Sequence, residues 1–265
     1  MPTHATNGAQ IHYTDHGSGD LPPLVLVHGF PLDSRMWEAQ VNALSDTGRR
    51  VIVPDLRGFG QSRSDAPFTL ESLADDIHGL LAAVGALPCV LAGLSMGGYV
   101  ALAYAKKYPG DLRGLVLIDT KAEADTAEGK AGREKMIELV RKEGSRAVAD
   151  QMMPKMLAKD AAQQRPQVAA ALRGMMESVS PKTIEHALAA MRDRPDRGGE
   201  LGAIGVPTLV VVGDGDVITP PDVAEKMAQK IPGARLEVVR GAGHMSPMEQ
   251  PEQVNRALKS FLEKV

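Results

Sequence analysis

VLAGLSMGGYVALAYA, residues 90–105, joins an apolar run to a glycine-flanked serine and then, with no linker, to a second run with helical character. CVLAG (89–93) reads as a short buried strand and Gly97–Tyr108 as the helix that follows it. Between them, GLSMG (93–97) fits the pattern G-x-S-x-G in its required setting, a strand before and a helix after. The setting matters because the pattern alone is common by chance. A serine at such a corner takes a strained backbone conformation that lifts its Oγ off the strand end. Gly93 and Gly97 are small because neighbouring backbone passes close to them. The helix that begins near Met96 aims its free N–H groups at the same point, which favours developing negative charge. Ser95 is therefore expected to be a nucleophile.

The stretches on either side repeat this strand-then-helix order. PLVLVHG (23–29), RVIVPD (50–55), LRGLVLID (112–119), PTLVVVGD (207–214) and ARLEVV (234–239) are short, rich in Val and Leu, and bounded by Gly, Pro or Asp. Helical spacing appears over about 34–46, 69–85, 221–231 and 251–264. Thr69 caps the second of these, with Ser72 contributing, and Gly85 stops it. Asn7-Gly8 reads as a hairpin turn near the amino terminus. Apolar strands alternating with amphipathic helices imply a mostly parallel sheet with helices on both faces, the α/β class. Ligands bind such sheets at the carboxyl ends of the strands, so the loops after 27, 54, 92, 118, 212 and 239 are where chemistry is expected.

One segment breaks the alternation. Residues 121–197 hold no strand candidate and no Trp, Tyr or Phe. They read as three or four helices, with breaks near Gly144-Ser145, Asp160, Pro166 and Ser180-Pro181. The expected organisation is a core made of 1–120 and 198–265, with 121–197 inserted as a helical cap over the sheet edge. Seven of the thirteen methionines fall in this insertion. Ordinary packing between helices is the favoured account of such methionines, and a soft apolar lining for a substrate is the alternative.

Composition excludes several function classes. The chain has 265 residues, with 30 Lys and Arg against 33 Asp and Glu and a net charge of −3. No block of like charge suggests a nucleic-acid footprint. The amino terminus MPTHATNGAQ is polar, unlike a signal peptide, and no apolar run approaches the ~18 residues of a membrane span. The single cysteine, Cys89, excludes an internal disulfide and is expected to be buried and inert. A cytoplasmic protein without nucleic-acid or membrane partners, monomeric or homodimeric, is the expectation.

A serine hydroxyl needs a base. Of the seven histidines, His4, His12 and His16 lie in the amino-terminal strands and are expected at the surface. His78 sits in a helix, His186 in the insertion, and His28 reads as a structural hydrogen-bonding residue. His244, in GAGHMSPMEQPEQV (241–254), follows the last strand in a glycine-rich loop able to carry it to the serine. The base needs an acid to fix its tautomer. VVVGDGDVITP (210–220) offers Asp214 and Asp216. Asp216 is favoured, Asp214 reads as a turn residue, and Asp119 remains a candidate. An oxyanion needs two N–H donors. Met96 supplies one, and HGFPLD (28–33) the other, from Phe30, since Pro31 has no N–H. Asp55 and Arg57 in DLRGFGQS are expected to shape a loop near the site. Trp37, Met152, Met156 and Met245 are candidate pocket residues.

VHGFP, PDLRGFGQS, GLSMGGYVAL, GDGDVITP and GAGHMSPMEQPEQV, in this order over nearly the whole chain, resemble the α/β-hydrolase superfamily. The resemblance implies an eight-stranded, mostly parallel sheet, a helical cap between strands six and seven, and a triad of Ser95, Asp216 and His244. It also implies an oxyanion hole from the Phe30 and Met96 amides. HGFPLDSRMW, DLRGFGQS and GLSMGG look like bacterial carboxylesterases, aryl esterases with perhydrolase activity, and enol-lactone hydrolases. The implied activity is hydrolysis of small carboxylic esters through an acyl-enzyme, with no metal or organic cofactor. Lactone opening, perhydrolysis and C–C cleavage use the same triad, and a ligand-binding receptor of this fold is a remote alternative. Haloalkane dehalogenases carry aspartate at the nucleophile position, where this chain has Ser95.

Overall fold

The structure is a computed structural model and describes residues 2–265. Met1, the first residue of the polar amino-terminal stretch, lies outside the described residues. Asn7 and Gly8 both take positive φ, at 46° and 76°, and turn β1 (Thr3–Thr6) back on β2 (Ala9–His16). That backbone sense matches the twist of paired antiparallel strands. The remaining strands are β3 (Leu21–Val27), β4 (Arg49–Pro54), β5 (Cys89–Leu94), β6 (Leu112–Ile118), β7 (Thr208–Gly213) and β8 (Arg235–Val239). They form one sheet in the order β1-β2-β4-β3-β5-β6-β7-β8. β2 pairs antiparallel with both β1 and β4, and the other five pairings are parallel.

The central strands are apolar on both sides because both sheet faces are covered. Val25 and Val27 of β3 point into one core, with Leu73, Ile77 and Leu81 of α2 (Leu70–Ala83) and Tyr104 of α3 (Met96–Lys107). Leu24 and Leu26 point into the other, with Leu44 of α1 (Glu38–Leu44) and Leu258 and Phe261 of α11 (Pro251–Leu262). This alternation is the period-two geometry of a strand. At the start of α2, Thr69 Oγ1 accepts from the Ser72 N–H, and Ser72 Oγ accepts from the Thr69 N–H. The reciprocal pair satisfies two otherwise orphan donors. Gly85, at φ 60°, follows the helix as expected of a stop.

Between β6 and β7 the chain forms α4 (Ala127–Glu143), α5 (Ser145–Met156), α6 (Ala161–Gln164), α7 (Pro166–Ser178) and α8 (Pro181–Arg192). This is one helix more than the three or four expected. The extra one, α6, is a single turn between Asp160, in the left-handed region, and Pro166, too short to show a 3.6-residue period. The region expected as one helix over 34–46 is a 3-10 turn, Ser34–Trp37, followed by α1. The last helix is preceded by the one-turn α10 (Ser246–Glu249), with α9 (Pro221–Lys230) where a helix was expected. Among the described residues, no helix is long and apolar enough to cross a membrane.

Candidate active site

Ser95 sits at the corner between β5 and α3, with φ 52° and ψ −111°. A non-glycine residue in the left-handed region is strained, at about 1–3 kcal/mol, and persists only where its surroundings over-determine it. The glycines explain how. A Cβ on Gly93 would lie 2.1 Å from the Gly97 carbonyl oxygen, and one on Gly97 would lie 2.3 Å from the Val27 carbonyl oxygen. Only bare backbone lets β3, β5 and α3 approach so closely. The Ser95 N–H donates to the Ile118 carbonyl at 3.0 Å, and the Thr120 hydroxyl donates to the Ser95 carbonyl at 2.8 Å. The corner is thus held from both sides by the end of β6.

The loop after β8 carries His244 to this corner. Its Nε2 lies 2.9 Å from Ser95 Oγ, and its Nδ1 lies 2.8 Å from Asp216 Oδ2. A carboxylate accepts, so Nδ1 donates and Nε2 is left free to accept the serine proton. Asp216, in the loop after β7, is held by three further donors. Its Oδ1 accepts from the N–H groups of Ile218 (2.8 Å) and Thr219 (3.0 Å), and its Oδ2 from the Thr219 hydroxyl (2.7 Å). Asp216 and His244 are buried, and Ser95 is half-buried. Burial pushes the Asp216 carboxyl upward, but the hydrogen bond and charge of His244, with the Thr219 donors, outweigh it and hold the group below its ordinary value. Burial pushes the His244 imidazole down, but Asp216, with Asp119 and Glu249 beyond it, brings it above its ordinary value.

Of the three aspartates weighed from sequence, Asp216 alone meets the imidazole by hydrogen bond. Asp214 Oδ1 accepts the Gly241 N–H at 2.8 Å, a turn contact as expected. Asp119 faces Gly213 and Ser246 instead. Met96 opens α3 immediately after Ser95. The loop bearing Phe30 is pressed against the same corner: a Cβ on Gly29 would lie 3.4 Å from the Ser95 Cβ. Trp37, Met156 and Met245 are fully buried in one apolar cluster with Leu32 and Met36, and Met152 packs at its edge. Cys89 is buried at the start of β5, and burial pushes its thiol up to about 12.

The remaining histidines show one departure. His28 donates from Nδ1 to the Gly29 carbonyl at 2.9 Å and accepts the Leu56 N–H on Nε2 at 3.0 Å, a structural role. His12, expected at the surface, is buried, with Nδ1 2.9 Å from Asp55 Oδ2. Asp55 follows β4, which pairs with β2, and its N–H donates to the His12 carbonyl at 2.9 Å, so the two side chains meet. Asp55 also accepts the Ser34 N–H at 2.8 Å and the Gln61 N–H at 2.9 Å, so it ties the loops after β3 and β4 together. Arg57 grips Asp76 of α2 through two bonds of 2.6 Å.

Glu249 drew no notice in the sequence. Its buried carboxylate accepts the Gly243 N–H at 2.7 Å and the Ala158 N–H at 2.8 Å, joining the loop that bears His244 to the segment between α5 and α6. No residue pattern announces a carboxylate whose partners are backbone amides. A cavity of about 670 Å³ lies at the opposite, amino-terminal end of the strands, walled by Leu102, Leu112, Leu201 and Val206. Its charged groups are paired with one another, Lys106 and Arg197 both meeting Glu200. It is remote from Ser95.

Residues 22–251 match a family model described as the alpha/beta hydrolase fold. The AB hydrolase superfamily protein YisY of Bacillus subtilis is 33% identical over 253 residues, covering 90% of this chain and 91% of that protein. Among solved structures, a thermophilic esterase from Thermogutta terrifontis is 44% identical, with a TM-score of 0.93, over 99% of this chain and 96% of that one. An enol-lactonase from Burkholderia xenovorans LB400 is 30% identical, with a TM-score of 0.92, over 99% of this chain and all of the other. Sheet order, strained serine and sequence agree: the chain belongs to the alpha/beta hydrolase family.

Proposed function

We propose that the protein is a serine hydrolase that cleaves small carboxylic esters through an acyl-enzyme. The observation that carries this reading is the continuous chain of hydrogen bonds from Ser95 Oγ through His244 to Asp216. Ser95 Oγ attacks the ester carbonyl carbon while His244 Nε2 takes its proton. The carbonyl oxygen becomes an oxyanion that rests on the Met96 and Phe30 amides. The imidazolium, stabilised by Asp216, gives the proton to the departing alkoxide, and the alcohol leaves. Water then enters, His244 takes one of its protons as its oxygen bonds to the acyl carbon, and the imidazolium returns that proton to Ser95 Oγ as the C–Oγ bond breaks and the acid leaves. No step consumes an oxidant or a co-substrate other than water.

Helices α4–α8 between β6 and β7 act as the cap in this reading. Of the four residues expected to line a pocket, Trp37, Met156 and Met245 are packed in the core behind the site, and Met152, partly buried at the edge of that cluster, is the one placed to meet an acyl group. A lactone is a second substrate class, favoured by the likeness to the enol-lactonase. The chemistry is unchanged, except that the leaving alcohol stays tethered to the acid.

The test is labelling with a fluorophosphonate, followed by turnover of p-nitrophenyl esters of increasing chain length and of simple lactones. Labelling of the parent but not of a Ser95→Ala variant, with turnover of one of these substrates, is expected. Parent-rate hydrolysis by Ser95→Ala overturns the reading.

A further inference from the structure

We propose that Asp119 is a positioning residue, clamping the acid-bearing and base-bearing loops so that Asp216, His244 and Ser95 stay within hydrogen-bond reach. The inference rests on the triad reading above and adds to it a residue that touches none of the reacting atoms.

Asp119 directly follows β6 at φ 44°, a second non-glycine residue held in the left-handed region close to Ser95. It has no exposed surface. Every polar atom of its side chain is spent on a neighbouring loop. Oδ1 accepts the Gly213 N–H at 2.8 Å. Gly213 ends β7, and its carbonyl in turn accepts the Asp216 N–H at 3.1 Å. Oδ2 accepts the Ser246 hydroxyl at 2.6 Å and the Ser246 N–H at 3.1 Å, two residues beyond His244. The Asp119 N–H donates to the Val211 carbonyl at 2.9 Å. The residues beside it, Ile118 and Thr120, hold the backbone of Ser95.

Residues 118–120 therefore hold the backbone of Ser95 directly and bond to Gly213 and Ser246 in the segments that lead to Asp216 and away from His244, and Asp119 is the member that joins the two loops. The arrangement needs a carboxylate, since three donors converge on its two oxygens. When ionised it places a second negative charge beside Asp216 and His244, the titratable groups that face it. Burial, then the charge of Asp216, pushes the Asp119 carboxyl above the ordinary range, opposed by His244 and the Ser246 and Gly213 donors.

The test is Asp119→Asn. Asparagine is isosteric and keeps an acceptor for Gly213, but its Nδ2 turns two hydrogens toward Ser246 and leaves that N–H without an acceptor. The expected result is a fall in kcat on p-nitrophenyl acetate of about 10–100-fold, the order that ångström-scale misplacement of catalytic groups costs, with KM within about twofold. Loss of a negative charge facing His244 also moves the acid limb of the pH profile to lower pH. Ser246→Ala, which removes only the hydroxyl arm, is expected to give a smaller loss in the same direction.

The downfield proton resonance of His244 Nδ1–H provides a readout that needs no turnover, and it is expected to shift in Asp119→Asn. Parent-like kcat, acid limb and resonance in Asp119→Asn overturn the proposal. So does a fall in rate matched by an equal fall in titratable active sites, with the limb unmoved. A parent enzyme that fluorophosphonate fails to label tells against the hydrolase reading instead. The resonance still decides whether Asp119 holds the loops.

Discussion

Replacing Asp216 by asparagine tests the proton relay with almost no change of shape. Two backbone N–H groups, from Ile218 and Thr219, converge on Oδ1. That oxygen must remain an acceptor, so the amide oxygen takes its place and the amide nitrogen falls at the Oδ2 position. There it faces His244 Nδ1, formerly 2.8 Å from a carboxylate oxygen. The nitrogen donates, so His244 Nδ1 must accept, and the imidazole proton moves to Nε2. Nε2–H then points at Ser95 Oγ, 2.9 Å away, and the serine has lost its base.

The expected loss in kcat/KM is about 10³–10⁴-fold, the order known for removing such a base or its orienting acid. In activation free energy this is about 4–5.5 kcal/mol. Folding is largely spared, because both backbone contacts to Oδ1 survive. The assays are p-nitrophenyl acetate hydrolysis and the rate of fluorophosphonate labelling, each beside a melting curve. A folded Asp216→Asn protein within tenfold of the parent in both assays would refute the tautomer argument and the role of Asp216.

Activity should rise with pH along a limb whose midpoint lies above 6.5, because His244 must be neutral to act and its surroundings hold it above that ordinary value; a kcat/KM profile on an ester with a non-ionising leaving group checks this, and a midpoint below 6.5 contradicts it. Gly93→Ala should destabilise the fold by about 3 kcal/mol or more, since the new methyl lies 2.1 Å from a backbone oxygen with no flexible neighbour to yield; thermal melting reads this as a drop of roughly 6–12 °C or failure to express in soluble form. Glu249→Gln keeps one acceptor for Gly243 or Ala158 and turns an amide N–H on the other, so it should cost about 1–3 kcal/mol by chemical denaturation, and an unchanged midpoint would remove Glu249 as the tie between these loops.

The parts of the site legible in the sequence are those whose constraints are local. GLSMG announces a strained corner because its glycines answer a steric demand within five residues. His28 and Asp214 read as local hydrogen-bonding residues, and the structure gives them such partners. The choice among Asp119, Asp214 and Asp216 rested on loop position alone, since all three follow strands of the same sheet. The buried place of His12 was not legible because its partner, Asp55, is 43 residues away in the chain. Glu249 and the clamp made by Asp119 were invisible because their partners are backbone amides, which carry no residue signature.

The sequence by itself determined the alternation of apolar strands and amphipathic helices, the glycine pattern around Ser95 and the order Ser95, Asp216, His244 along the chain. Periodicity and steric demand act over a few residues, and composition records them directly. The tertiary structure alone decided which carboxylate meets His244, which carboxylate binds the loops together, and how Ser95 Oγ comes within 2.9 Å of an imidazole 149 residues away. Those outcomes depend on the register of parallel strands and the lengths of the loops that leave them, and hydrogen bonds over such separations form only after the sheet has brought its carboxyl ends into one plane.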